Sequence, residues 1–150
     1  MAEMSFAALA LRLSRIGAVM GRAQQRGLDE AGRIVEVEAR GMLGDYQPAI
    51  PPFPRWADLK DSTIRDRLRR GFTANDPLLR SGELRDSIHH EVRGNTAFVF
   101  SRDINAGRHE FGTSKMPPRP FIGPALVRKL DEAGKAVADH IAAPLTNGRR

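Results

Sequence analysis

Two clusters of proline constrain the fold of this 150-residue chain more than any other feature of its sequence. Most of the ten prolines lie in the segments Pro48–Pro54 and Pro117–Pro124. Because proline lacks a backbone N–H and fixes φ, neither cluster fits the middle of a helix or of a central strand. The clusters therefore divide the chain into blocks, and we expect extended loops over residues 44–56 and 102–119.

The first block, residues 5–43, has the pattern of a long helix. Its apolar side chains recur at steps of three and four residues, and Ser5 is placed to cap the N-terminus. Each of its glycines costs about 1 kcal/mol relative to alanine in a helix interior. We therefore expect the helix to break or bend near residues 25–27, as one bent helix or as two.

The first proline loop contains three aromatic residues, Tyr46, Phe53 and Trp56, including the only Tyr and the only Trp of the chain. Aromatic side chains in such a loop pin it to the core of the domain or, alternatively, form an arm that binds a partner. Residues 58–70 then predict a short basic helix that ends at Gly71 and exposes Arg65, Arg67, Arg69 and Arg70.

The middle of the chain predicts a β-hairpin. Residues 88–93 and 96–101 are β-prone and flank Gly94-Asn95, which is a two-residue turn signal. Phe98 and Phe100 alternate with Ala97 and Val99, so both faces of the second strand are apolar and we expect both to be covered. A last helix is predicted from Pro124 to Ile141, followed by a disordered basic tail over residues 143–150.

The composition excludes several kinds of chemistry. The chain has no cysteine, which excludes disulfides, thiolate metal sites and a cysteine nucleophile. The four histidines lack the spacing of a zinc site, and no glycine-rich segment has the order of a phosphate-binding loop. We therefore expect no enzymatic activity, no cofactor and no metal. The net charge of +6 favours a polyanionic neighbour such as nucleic acid.

The second proline loop has a local interpretation of its own. Phe111 is followed by Gly112, which predicts an apolar anchor and a sharp turn after a short strand. Phe111 and Phe121 are both expected in the core. Glu110 and Arg119 flank the loop, and they either close it as an ion pair or remain independent solvated charges.

Two segments are more specific than these patterns. Their characteristic positions are Gly82, Leu84, Ser87 and Ile88 in the first, and Ala106, Glu110, Phe111, Gly112, Thr113, Arg119, Pro120, Phe121, Pro124, Ala125 and Leu126 in the second. In this order and spacing they resemble the tailed-phage family of tail-completion or head-tail joining (neck) proteins typified by the HK97 gene product ten. Asn105 stands where that family usually has Tyr. Trp56, Leu59 and Thr63 also look like the related tail-completion proteins of Mu-like phages, and the resemblance covers residues 56–142.

The resemblance implies an α+β fold, with a small antiparallel β-sheet packed by a long N-terminal helix and a C-terminal helix, in one head-tail connector domain over residues 1–142. Such proteins form a ring, often a hexamer, between head-closure or portal-adaptor proteins and the tail tube or tail terminator of a phage or phage-derived particle. The chain is then expected in the virion and, during assembly, in the host cytoplasm, with no membrane contact. Candidate subunit and partner contacts are Tyr46, Phe53, Trp56, Glu110, Phe111, Gly112, Thr113, Arg119 and Phe121.

DNA passes through the channel of such a ring, and Arg65, Arg67, Arg69 and Arg70 are the candidate DNA-facing residues. The alternative hypothesis is a free, non-specific DNA-binding protein that uses these arginines and the basic tail. No aromatic residues alternate with the arginines to stack on bases, which favours the assembly protein.

Overall fold

The computed structural model of the chain describes residues 5–147 and has an α+β fold, as predicted. Its elements are, in chain order, helices α1 (Phe6–Met42), α2 (Asp61–Arg69) and α3 (Glu83–Asp86), strands β1 (Ile88–Arg93) and β2 (Thr96–Ser101), and helices α4 (Ala106–Phe111) and α5 (Ile122–Asn147). None of these helices combines the length and the apolar character that crossing a membrane requires. The long helices α1 and α5 and the hairpin β1–β2 form the body of the molecule.

Helix α1 is one continuous element from Phe6 to Met42, so the alternative of two helices broken near residues 25–27 is wrong, while the alternative of a bend there stays a prediction. It begins at Ser5, whose hydroxyl accepts a hydrogen bond from the backbone N–H of Ala8 at 3.2 Å. Gly27 is buried against α5, where a β-carbon would lie 2.9 Å from the Cα of Val137. The glycine therefore serves the close approach of two helices, and packing outweighs its low helix propensity.

This close approach predicts opposite effects of the same substitution at two glycines of α1. Gly27→Ala places a methyl group into the backbone of α5, and we expect it to lower the free energy of unfolding by about 1–2 kcal/mol. A β-carbon at Gly21 would meet nothing within 4 Å, so Gly21→Ala should raise the free energy of unfolding by about 0.5–1 kcal/mol through helix propensity alone. Denaturant unfolding followed by Trp fluorescence measures both, and equal stabilisation by the two variants would contradict the contact at Gly27.

The hairpin follows the sequence prediction in its strands and turn, and Ile88 pairs with Ser101 and Arg93 with Thr96. One face packs on α1, where His90 bonds the Glu36 carboxylate and lies close to Gly32. The other face is open, because Phe98 is 45% exposed there. The expectation that both faces are covered is therefore wrong: the described part of the chain, residues 5–147, supplies no third layer over this side.

Helix α5 runs antiparallel to α1, since Gly27 meets Val137 and His140, and Glu38 pairs with Arg128 at 3.0 Å. It continues through Pro144 to Asn147. The predicted disorder of the tail is therefore wrong for residues 143–147, because a proline in the last turn removes one N–H without ending the helix. Residues 148–150 of the predicted tail lie outside the described residues.

The core lies where the ends of α1 and α5 meet the hairpin and the loops. Its buried apolar side chains are contributed by almost every element, and they include Val35, Ala39, Met42, Trp56, Leu84, Ile88, Ala106, Phe121 and Ala125. Trp56 and Phe121 come from the two proline loops. The loops are thus held by the core and fix the surface described next.

Candidate partner-binding surface

The two proline loops are joined to each other through Trp56 and Arg119. Trp56 is 1% exposed, and its indole N–H donates to the carbonyl of Pro120 at 2.8 Å. The Arg119 guanidinium donates to the carbonyl of Ala57 at 3.0 and 2.8 Å and to that of Asp58 at 3.1 Å. The prediction that the aromatic loop is pinned to the core is therefore confirmed for Trp56, whose side chain is not available to a partner.

Glu110 holds the start of α5. Its carboxylate accepts hydrogen bonds from the backbone N–H groups of Phe121 at 2.8 Å, Ile122 at 3.1 Å and Gly123 at 2.8 Å. These are donors that a helix cannot satisfy internally in its first turn, and a negative charge is favoured there by the helix dipole. Neither alternative for Glu110 and Arg119 is correct: they form no ion pair with each other, and they are not independent solvated charges, because each side chain binds backbone groups.

Tyr46 and Phe53 complete this loop junction, which we define as the contacts of Tyr46, Phe53, Trp56, Glu110, Arg119 and Phe121. The Tyr46 hydroxyl donates to Asn75 Oδ1 at 2.5 Å and accepts from the N–H of Leu59 at 3.0 Å. The Phe53 ring lies against Gly123, where a β-carbon would be 2.3 Å from Cζ. Six of the nine candidate partner contacts therefore bind within the chain itself and position the others.

Three candidate contacts lie outside the junction, and Phe111 is the large apolar one among them; the other two are Gly112 and Thr113. Phe111 is 83% exposed, so the prediction of a core position is wrong. The segment is a helix, α4, and not a strand: Ala106 and Glu110, four residues apart, face inward, and the next residue is rotated about 100° away from them. Gly112 follows with φ +73°, and a β-carbon there would lie 2.8 Å from the N of Pro118. The chain then turns through a bridge between Thr113 and Met116.

Ile104 adds a second exposed apolar side chain to this surface. It is 90% exposed and lies just before α4. Sequence reasoning missed it, although an isolated isoleucine between Asp103 and Asn105 in a polar loop is a usable signal. We call Ile104 and Phe111 the apolar rim.

Beside the apolar rim lies a cavity of about 640 Å³, which is within the usual range of ligand and peptide sites. Its walls come from α2, from residues 78–84 and from the second proline loop. Leu59, Leu84 and Met116 are apolar contributors, and Arg67 and Arg119 are buried basic ones. Neither arginine forms an ion pair with a carboxylate in residues 5–147, because both donate to backbone carbonyls. The lining has five basic side chains and three acidic ones, Asp58, Glu83 and Asp103, so the cavity has a small net positive charge.

Arg67 is therefore not a DNA-facing residue, contrary to the prediction. It is 4% exposed and donates to the carbonyls of Thr73 at 2.7 Å and Leu79 at 2.8 Å. Arg69 and Arg70 are exposed but both contact Asp66, at 3.3 and 3.2 Å. The hydrogen bond from Arg80, together with these charges, lowers the pKa of Asp66. Arg65 is exposed and has no ion pair in residues 5–147, so one of the four predicted arginines keeps a free charge there.

His109 is the histidine that lines the cavity. Its Nδ1 is buried and has no hydrogen-bond partner among the described residues. Burial lowers the pKa of His109, and the charge of Arg119 lowers it further, while Asp103 acts in the opposite direction. The imidazole is therefore neutral in the folded protein at neutral pH.

This lowered pKa predicts a loss of stability in weak acid. The unfolded chain binds a proton at His109 near pH 6.5, whereas the folded protein binds it only at lower pH, so the free energy of unfolding falls as pH drops below about 6.5. Denaturant unfolding at pH 7.5 and 5.5 measures this loss for the wild type and for His109→Gln. The variant should lose less stability than the wild type between the two pH values, and an equal loss in both proteins would contradict the effect of burial on His109.

The fold and this surface together define a small α+β protein with fixed loops, a cavity and two exposed apolar side chains, Ile104 and Phe111. The chain is similar to the Mu-like prophage FluMu G protein 1 of Haemophilus influenzae (strain ATCC 51907 / DSM 11121 / KW20 / Rd), with 31% identity over 74 residues, 49% of this chain and 51% of that protein. The chain thus spans about half the length of the curated relative it matches. No family model matches the chain, and no solved structure matches it. The similarity supports a phage-related protein.

Proposed function

We propose that the chain is a structural protein of a tailed-phage or phage-derived particle, where copies of it form a ring at the head-tail junction in the manner of the HK97-type tail-completion family. The similarity to a Mu-like prophage protein supports the phage origin. The loop junction is the observation that supports a structural role. Its polar side chains Trp56, Arg119 and Glu110 form hydrogen bonds with the protein's own backbone, whereas the apolar rim is exposed.

The surface also indicates the chemistry of its partner. Two side chains that are 83% and 90% exposed are covered best by apolar side chains of another protein. Lys60 and Lys115 line the cavity, are exposed and form no ion pair in residues 5–147, so they favour a carboxylate from the same partner. We place a head-closure, portal-adaptor, tail-tube or tail-terminator protein here, in the virion, with DNA passing through the ring by phosphate contacts alone. No enzymatic step is assigned.

Particle composition tests this function. Mass spectrometry of particles purified from the strain that encodes the chain should detect it in a fixed ratio to the major tail protein, and deletion of its gene should leave heads and tails unjoined or tails incomplete. Its absence from purified particles, with normal particles in the deletion strain, overturns the proposal. Tight binding of the isolated chain to duplex DNA at physiological salt, with a steep salt dependence, would instead favour the free DNA-binding protein.

The apolar rim is tested separately within the same strain. The double variant Ile104→Ser and Phe111→Ser should keep the wild-type unfolding midpoint, since both side chains are exposed, and should still fail to restore complete particles. Leu68→Ser is the matched control, because Leu68 is 57% exposed on α2 and lies outside the rim. Full restoration by the double variant would show that the rim does not contact a partner.

A further inference from the structure

The first four turns of α1 extend beyond the rest of the described molecule. Every residue from 6 to 18 is exposed, and the first buried residue of the helix is Ala23. We define residues 6–20 as the α1 arm. An isolated helix of this length is marginally stable in water, so such an arm is expected to have a partner that covers it.

The arm has an apolar stripe of the kind that helices bury against each other. Its positions follow the three- and four-residue spacing of a two-helix seam: Phe6 is 92% exposed, Leu9 38%, Leu13 59% and Ile16 47%. The same stripe continues into Ala23 and Gly27, where α5 covers it. The stripe is therefore covered by α5 at Gly27, whereas no residue in the described part of α5 covers it in the exposed part of the arm.

The charge of the arm excludes a simple pairing of two arms. Between residues 5 and 28 the chain has four arginines, Arg12, Arg15, Arg22 and Arg26, and no Asp or Glu. None of the four forms an ion pair within residues 5–147. Two arms side by side would bring only positive charges together, which is unfavourable. The partner surface must be apolar and must have acidic side chains at its edge.

Helix α5 has such a surface beside the face that contacts α1. Val127 is 44% exposed, and Leu130 and Leu145 are each 60% exposed. Gly134 and Ala138 lie between them at the same spacing and are exposed, so a second helix with large side chains can approach closely there. Asp131 borders this stripe and has no ion pair in residues 5–147. We define residues 127, 130, 134, 138, 141 and 145 as the outer α5 stripe.

We propose that the α1 arm of one subunit packs on the outer α5 stripe of a second copy of this chain. The stripes match in three respects: both have helical seam spacing, the large side chains of the arm face the small residues of the stripe, and the arginines of the arm meet Asp131. The contact joins two different surfaces, so it is head-to-tail and closes into a ring when the rotation permits. The inference deepens the proposed ring and rests on that function.

A mixing experiment with the full chain tests this contact. The arm variant Leu9→Asp with Leu13→Asp and the stripe variant Val127→Asp with Leu130→Asp should each self-associate at least about 100-fold more weakly than the wild type in sedimentation velocity. Mixed in equal amounts they should form a heterodimer and nothing larger, because each supplies the surface that the other lacks. Ala18→Asp, which places one aspartate on the opposite face of the arm, should assemble as the wild type does.

Three results would overturn the inference. They are a wild type that stays monomeric at every concentration, wild-type assembly by both variants, and a mixture that forms no heterodimer. A monomeric wild type whose arm binds phosphatidylserine vesicles or duplex DNA would assign the arm to that surface instead. These outcomes are separate from the proposed function, since a chain found in particles but monomeric in solution loses the arm contact and keeps its structural role.

Discussion

Replacing Trp56 by alanine is expected to lower the free energy of unfolding by about 4 kcal/mol, a loss at the upper end of what a single substitution in a protein core causes. Trp56 is 1% exposed and is the largest of the fully buried side chains. Its removal leaves a cavity in the buried core cluster to which it belongs. It also deprives the carbonyl of Pro120 of its indole donor. We expect the thermal midpoint to fall by about 10 °C.

Guanidinium unfolding monitored by circular dichroism measures this loss, since the variant has no Trp fluorescence. Trp56→Phe retains a ring and loses the N–H. Its free energy of unfolding should be about 2 kcal/mol below that of the wild type, and so between the values of the wild type and Trp56→Ala. Phe98→Ala is the matched control. The Phe98 ring is 45% exposed on the open face of the hairpin, so removing it should lower the free energy of unfolding by less than about 1 kcal/mol. A loss of similar size in Trp56→Ala and Phe98→Ala would contradict the loop junction.

Replacing Glu110 by alanine is expected to lower the free energy of unfolding by about 3 kcal/mol. Three backbone N–H groups at the start of α5 lose their acceptor together, and water replaces it only in part because Phe121 is buried. Glu110→Gln keeps the shape and one carbonyl oxygen, so we expect an intermediate loss of about 1–2 kcal/mol.

Hydrogen exchange measured by NMR gives the specific readout for Glu110. The amides of residues 121–123 should exchange faster in Glu110→Ala than in the wild type, by more than the global loss of stability explains. Glu132→Ala removes a carboxylate that is 57% exposed and pairs with Lys129 on the surface of α5. That control should change stability by less than about 1 kcal/mol. Unchanged exchange at residues 121–123 would show that Glu110 does not cap the helix.

The sequence predicts those parts of the fold that depend on local signals. The turn Gly94-Asn95 and the alternation around it locate the hairpin, and the stripe from Leu126 onward locates α5. The core position of Phe121 is also predicted correctly. Each of these follows from the identity of neighbouring residues, which the sequence contains in full.

The candidate site depends on contacts between distant segments, and the sequence predicts these less well. Arg67 is expected on the surface because guanidinium groups are seldom buried, but its carbonyl acceptors at Thr73 and Leu79 are set by the path of a loop. Phe111 is misplaced because six residues are too few to distinguish a helical from a strand period. The charge pattern of the sequence suggests an opposite charge, Arg119, as the partner of Glu110. The actual partners are backbone N–H groups at the start of α5, which a charge pattern does not reveal.

The antiparallel contact of α1 with α5 has a mechanical consequence. A force that pulls on the free end of α1 acts along the helix axis and loads the two helices in shear. Contacts from Gly27 to Glu38 then resist it together, whereas a force across the pair would separate them one after another. The molecule is therefore strongest in the direction in which its longest element projects.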